Sequence, residues 1–157
     1  MSPQAIAEAV RDEMWPGDRA SQALGMAVVA IGPGTATLTM TVRPDMLNGH
    51  GNCHGGMITT LADSAFAFAC NACNEVTVAS GFSMDIVAPA REGDLLTARC
   101  TERHRSNRTG VYDCEVVNQH GERIALFRGH SYAMKGRPVV EGLPLPSAPA
   151  RGGRPAG

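Results

Sequence analysis

Apolar positions fall into two periods along this chain, and the switches between them outline a fold. In PQAIAEAVRDEM, residues 3–14, Ile6, Val10 and Met14 stand four apart, which predicts a short amphipathic helix. Trp15-Pro16-Gly17 ends it, and residues 19–25 predict a second short helical turn closing at Gly25. From Met26 the period shortens. MAVVAIGPGTATLTMTV reads as two β-runs, 26–31 and 35–42, split by Gly32-Pro33-Gly34, a hairpin signal. The helical period returns once. Gly55-Gly56 opens a segment in which Met57, Ile58, Leu61, Ala62, Ala65, Phe66, Ala69 and Cys70 recur at intervals of three and four, ending near Asn74.

Four strand-like runs follow, VTVASGFSMDIVAPA, DLLTARCTERHR, GVYDCEVVNQ and ERIALFRGHSYAMK. Turn residues divide them at Pro89–Gly93, Ser106–Gly110 and Asn118–Gly121. Runs joined by turns this short predict mostly antiparallel pairing. A lone long helix must bury its apolar stripe, and a curved antiparallel sheet wrapped around it is the economical way to do so. The expected class is therefore α+β, one domain over residues 1–135. The remainder, GRPVVEGLPLPSAPARGGRPAG at 136–157, has no periodicity and is rich in Gly, Pro, Ala and Arg. It predicts a disordered tail.

Composition removes several functional classes. The chain has 157 residues, enough for one domain with a real core. Hydrophobic content of 43%, charge of 18% and a net charge of −1 describe an ordinary globular protein. No basic stripe is present, so no nucleic-acid partner is expected. Apolar stretches break well short of membrane-spanning length, and no membrane partner is expected. The N-terminus carries acids and lacks the apolar core of a secretory signal, so the cytoplasm is the expected compartment. The cysteine count is five, and an odd count argues against a disulfide framework. Cys70-x-x-Cys73 has metal or redox spacing, but it has no second such pair and falls inside the helical pattern. Small buried apolar residues are expected there, with no metal.

The candidate chemistry lies at 48–74, NGHGNCHGGMITTLADSAFAFACNACN. The glycines leave backbone amides bare at the helix start, where the helix dipole favours negative charge. An ester or thioester oxygen that becomes negative in its transition state would be stabilised there. One acid, Asp63, interrupts the apolar stripe eight residues after Gly55. At 1.5 Å per residue the separation is about 12 Å, too far for both to serve one carbonyl within a single helix. A second copy lying antiparallel would bring its helix start to the acid, so the spacing suggests a composite site across a two-fold axis, if both elements are catalytic. The periodicity alone leaves other readings open. Asp63 can equally be solvent-facing or paired, and His54 and Asn48 can simply cap the helix or its preceding turn.

HGGMITTLADSAFAFACN, preceded by MLNGHGNC, closely resembles the hotdog-fold thioesterases of the phenylacetic acid degradation PaaI type. The resemblance runs from about Met14 to about Lys135, through PAREGDLLTA, RTGVYDCEV and ALFRGHSYAM. It implies a hotdog fold, a long central helix wrapped by a curved antiparallel sheet, working as a homodimer with composite sites and usually as a homotetramer. It further implies hydrolysis of aryl-acetyl-CoA thioesters, the (hydroxy)phenylacetyl-CoA class, with no cofactor beyond the CoA of the substrate. In that family pattern Asp63 is the catalytic carboxylate, as general base or nucleophile. The Gly55 N–H is the oxyanion donor, and His54 and Asn48 shape the site and orient the thioester or water. A hydroxyl near the acid assists in related enzymes, and Ser64 and Ser80 are the nearby ones. Arg105 and Arg108, in RHRSNRTG, are candidates for the CoA phosphates, and Phe66 and Met57 for the pocket wall. Three other readings keep different chemistry. A Cys53–His54 hydrolase lacks a clear orienting third group. A hotdog hydratase or dehydratase usually carries prolines around its histidine, which HGNCHGGM lacks. A non-catalytic acyl-CoA sensor could dispense with Asp63.

Overall fold

The structure, a computed structural model, describes residues 1–148. Helix α1 spans Pro3–Met14, a 3₁₀ turn spans Trp15–Gly17, and α2 spans Arg19–Ala23. The Ser2 hydroxyl caps α1 by accepting the Ala5 N–H. Strands β1 (Ala27–Gly32) and β2 (Thr35–Thr41) form the expected hairpin, joined through Pro33-Gly34. Gly34 has φ +69°, a value that suits glycine and lets the turn close in two residues. Helix α3 spans Gly55–Asn71, and β3 (Thr77–Ile86), β4 (Leu95–Arg105), β5 (Thr109–Val117) and β6 (Arg123–Ala133) follow.

All strand pairs are antiparallel, in the order β1-β2-β4-β5-β6-β3. The sheet curls around α3. Leu38 and Met40 of β2, Leu96 and Ala98 of β4, Val116 of β5 and Phe127 of β6 form the core with Ile58, Leu61, Ala65 and Phe66 of the helix. This is the sheet-wrapped helix expected from the two periods.

Two boundaries differ from the sequence pattern. Helix α3 stops at Asn71 because that side chain turns back on the following strand. It donates to the Thr77 carbonyl and accepts the Thr77 N–H, both at 2.9 Å, fixing the start of β3. Strand β3 ends at Ile86, before Pro89, which lacks the N–H a ladder requires.

The segment after 135, expected to be disordered, is anchored at its beginning. Asn74 is fully buried at φ +69°. Its amide donates to the carbonyls of Val140, Leu143 and Pro144 and accepts the Val140 N–H at 2.7 Å. The Glu75 carboxylate accepts the Gly136 N–H. These polar ties offset the ordering entropy that apolar burial would not have offset. Residues 149–157 of the expected tail lie outside the described residues.

At the far end of the sheet, β3 is an uncovered edge. Its register against β6 places Phe82, Met84 and Ile86 opposite Gly129, Phe127 and Ala125, on the helix side. Phe82 and Ile86 are nonetheless each 47% exposed.

Candidate active site

The loop leading into α3 is built by Asn48. Its Oδ1 accepts the N–H groups of His50 and Asn52, at 2.9 and 3.2 Å, an arrangement that folds NGHGN into a tight turn. The His54 N–H then donates to the Met46 carbonyl, and the Cys53 N–H to that of Ala90. His54 is the N-cap of α3, with extended backbone at ψ 133°. Its Nδ1 accepts the Gly56 N–H at 3.0 Å, so the neutral ring carries its proton on Nε2, facing outward.

That cap divides the first two amides of the helix. Gly56 N–H is taken by His54, whereas Gly55 N–H has no acceptor among the described residues. A free amide at the first residue of a 17-residue helix is where an oxyanion is best received. Gly55 also sits tightly. A Cβ there would lie 2.8 Å from Ile86 Cδ1, so the helix start is pressed against the end of β3.

Asp63 lies two turns further along α3 and is half-buried. No hydrogen bond from a described residue engages its carboxylate. Burial, and then the negative charge of Asp18, raise its pKa above the usual carboxylate range. The acid shares a stripe with Gly56, Thr60 and Ala67, the part of α3 that the sheet leaves uncovered. An unengaged acid with a raised pKa on an open face suits proton transfer or nucleophilic attack.

The remaining candidates separate. Ser64 Oγ lies 2.8 Å from Ser21 Oγ and is engaged there, and Ser80 Oγ donates to the His130 carbonyl from a bulge in β3. Phe66, expected on a pocket wall, is instead a core residue. It is 1% exposed, packed against Tyr112 and Phe127 and close over Gly129, which leaves it no open face within the protomer. Met57 is half-buried against the core. Arg105, the last residue of β4, and Arg108, in the β4–β5 turn, stand beside Cys70 and Cys73, at the opposite end of α3 from Gly55. Arg105 pairs with Glu102 at 3.4 Å.

The structure gives a Cys53–His54 dyad no support. Cys53 Sγ contacts the His54 backbone carbonyl, not the ring, and burial raises its pKa. Cys70 of the CxxC is buried in α3 with its thiol pushed up to about 12, while Cys73 lies just past the helix and is part-exposed. Among the described residues no group of three His, Cys, Asp or Glu side chains could hold a metal ion. None of the described helices is long and apolar enough to cross a membrane.

Comparison with known proteins gives the family and the fold. The thioesterase superfamily model matches residues 50–125, the span from the loop before α3 into β6. The acyl-coenzyme A thioesterase PaaI of Escherichia coli is 46% identical over 123 residues, covering 78% of this chain and 88% of that protein. The chain belongs to the thioesterase superfamily, as a PaaI-type acyl-CoA thioesterase. The solved structure of the E. coli PaaI protein from the phenylacetic acid degradation operon superimposes with a TM-score of 0.85 at 43% identity, covering 87% of this chain and 99% of that one. A mutant of the phenylacetic acid degradation protein PaaI from Thermus thermophilus matches at 0.71 and 41%, covering 73% and 98%. The fold is thus the hotdog fold of these thioesterases.

Two neighbours of the candidate site had no announcement in the sequence. Ile86 reaches Gly55 from a strand 31 positions away (86 − 55), and Ser21 reaches Ser64 across 43. Neither carries a periodic or motif signal, because only the curl of the sheet and the placement of α2 bring them together.

Proposed function

We propose that this thioesterase hydrolyses aryl-acetyl-CoA thioesters of the (hydroxy)phenylacetyl class at sites shared between two copies of the chain. The observation that carries the reading is the pairing of one open amide, Gly55 N–H, with one unengaged acid, Asp63, on a single helix. The two are about 12 Å apart along the axis, too far to act on one carbonyl. Two α3 helices antiparallel about a two-fold axis near Thr59 would bring each acid to the other's helix start. The bare edge and uncovered inner face of β3 support such pairing, since an exposed strand with apolar neighbours is a template for a second copy. A pair of such dimers, a homotetramer, is the family-like assembly.

In this reading the thioester oxygen accepts Gly55 N–H from one subunit. Asp63 of the other, as general base, takes a proton from water while the water oxygen attacks the acyl carbon. Charge developing on the carbonyl oxygen is held by the amide and helix dipole. The C–S bond then breaks and the CoA thiolate leaves. Direct attack by Asp63, forming an anhydride that water opens, uses the same two groups. His54 Nε2–H and the Asn48 side-chain amide, both at the loop, orient the thioester and water. In the antiparallel pair the α3 C-terminal end approaches the partner's entry loop. Arg105 and Arg108 would then stand where CoA phosphates emerge. The acyl class rests on the names of the PaaI relatives from phenylacetic acid degradation.

Release of free thiol from phenylacetyl-CoA, its hydroxylated forms and straight-chain acyl-CoAs tests the proposal. Fastest release with the aryl-acetyl substrates is expected, with Asp63→Asn losing at least about a hundredfold in kcat while keeping its fold. A preference for straight chains would remove the substrate class, and an active Asp63→Asn would remove the acid.

A further inference from the structure

Behind Asp63 lies a hydroxyl chain that the proposed mechanism does not use. Asp18, the N-cap of α2, accepts the Ser21 N–H at 3.1 Å through Oδ1 and the Ser21 hydroxyl at 2.7 Å through Oδ2. Ser21 is 1% exposed, and its Oγ lies 2.8 Å from Ser64 Oγ. Since the Ser21 proton is committed to the carboxylate, Ser64 must be the donor to Ser21. The bonds therefore run one way: Ser64 O–H to Ser21 Oγ, Ser21 O–H to the Asp18 carboxylate. Ser64 is the residue next to Asp63 on α3. The five-residue helix α2 is thus tied by a part-buried, directed relay to the residue beside the acid on α3.

We propose that Asp18, acting through Ser21 and Ser64, is a positioning residue for Asp63: the relay fixes the rotation of α3 from which the acid projects, and it holds a second negative charge behind it. The inference rests on Asp63 being the catalytic acid. Asp18 is the one charged group that raises the pKa of Asp63 electrostatically, adding to the effect of burial. The strands packed on α3 turn little charge toward it. Strands β1 and β2 have no charged residue. Strands β4 and β5 turn Cys100, Tyr112 and Cys114 inward; the hydrogen bond with Cys114 and then burial raise the Cys100 thiol, and burial and then the charge of Glu102 raise Tyr112. Asp85, Arg99, Arg103, Asp113, Glu115 and Arg128 line the groove on the outer face of the sheet. Glu102 and Arg105 pair with one another at the far end of β4, and on α1 Arg11 pairs with Asp12. Glu8 and Glu13 on α1 and Arg19 on α2 are the further charges of the N-terminal helices, and Cys70, further along α3, stays protonated, its thiol pushed up to about 12 by burial.

The test is a carboxyl-¹³C NMR titration of the full chain labelled at aspartate, with the Asp63 signal assigned by its loss in Asp63→Asn. It is run beside the pH profile of kcat/KM for an acyl-CoA the enzyme turns over. Asp18→Asn removes the charge while keeping an equally good N-cap, so α2 is retained. The Asp63 midpoint and the acid limb of the profile are expected to fall together by several tenths of a pH unit. Ser21→Ala, which breaks the relay but leaves the charge, is expected to lower kcat several-fold with little movement of the midpoint. An Asp63 midpoint that does not move in Asp18→Asn overturns the proposal. So does a midpoint that moves while the pH profile stays put. If Asp63→Asn itself keeps wild-type turnover, the catalytic reading fails first, and the titration still reports whether Asp18 reaches Asp63.

Discussion

At the residue scale, the site depends on what each polar group is prevented from doing. His54 occupies the Gly56 amide, which leaves the Gly55 amide open. Asp63 accepts no hydrogen bond from a described residue and is half-buried, so its ionised form is destabilised. An acid whose folded pKa lies above its unfolded value imposes its full cost when the pH exceeds the folded pKa. That cost vanishes as the pH falls below the unfolded one. By this protomer-level effect Asp63→Asn should unfold at a higher temperature than wild type near pH 8, and the difference should vanish only below the unfolded carboxylate pKa, toward about pH 3. Thermal melts of both proteins across that range check this; a wild type more stable than the variant at pH 8 would mean that a partner stabilises the charge. These residues are partly legible in the sequence. Gly55, Asp63, His54 and Asn48 all stand out as glycine, acid and turn residues in NGHGNCHGG and the helix after it. Their individual hydrogen bonds do not, because whether His54 caps Gly56 or Gly55 depends on a ring rotation that no spacing encodes. Phe66 departs from its expected place for a related reason: an aromatic on an apolar stripe fills either a core or a pocket, and Gly129 decides it.

At the element scale, the fold follows from the chain's two periods. The single long 3.6-residue period became α3, and the six short runs became six strands in one antiparallel sheet. What the periods do not carry is how closely the sheet approaches the helix. That is set by residues without side chains. A Cβ on Gly129 would lie 2.9 Å from three atoms of the Phe66 ring, which is itself wedged between Tyr112 and Phe127. Phe66 has no room to yield, so Gly129→Ala should cost about 1–3 kcal/mol, read as a lower urea midpoint with unchanged slope. An unaltered midpoint would mean that β6 can shift outward. The ends of elements are less legible than their existence. Asn71 ends α3 and Asn74 gathers residues 140–144 through side-chain bonds to the backbone, and such contacts leave no periodic trace.

At the scale of the whole molecule, the proposed mechanism needs more than one protomer. The protomer's open amide and its acid are separated along one helix, and its sheet ends in a bare edge whose inner face carries Phe82 and Ile86 half exposed. That separation is legible from the eight-residue spacing, whereas the exposed β3 face emerges only with the strand order. The measurement that tests the shared site most directly is complementation between two inactive chains. Gly55→Pro removes the N–H donor while suiting a first helical position, the extended backbone of His54 accommodates the proline that would follow it, and the added Cβ meets only the flexible end of Ile86, which must turn aside. Asp63→Asn removes the acid. Each variant alone should be nearly inactive. Unfolded together in equal amounts and refolded, the two should form mixed pairs in which one of the two sites holds both an intact amide and an intact acid. Random pairing then restores about a quarter of wild-type thiol release. Recovery near that level is the predicted result; no recovery from mixed pairs that demonstrably form would show that the amide and the acid serve one chain, and would contradict the shared site.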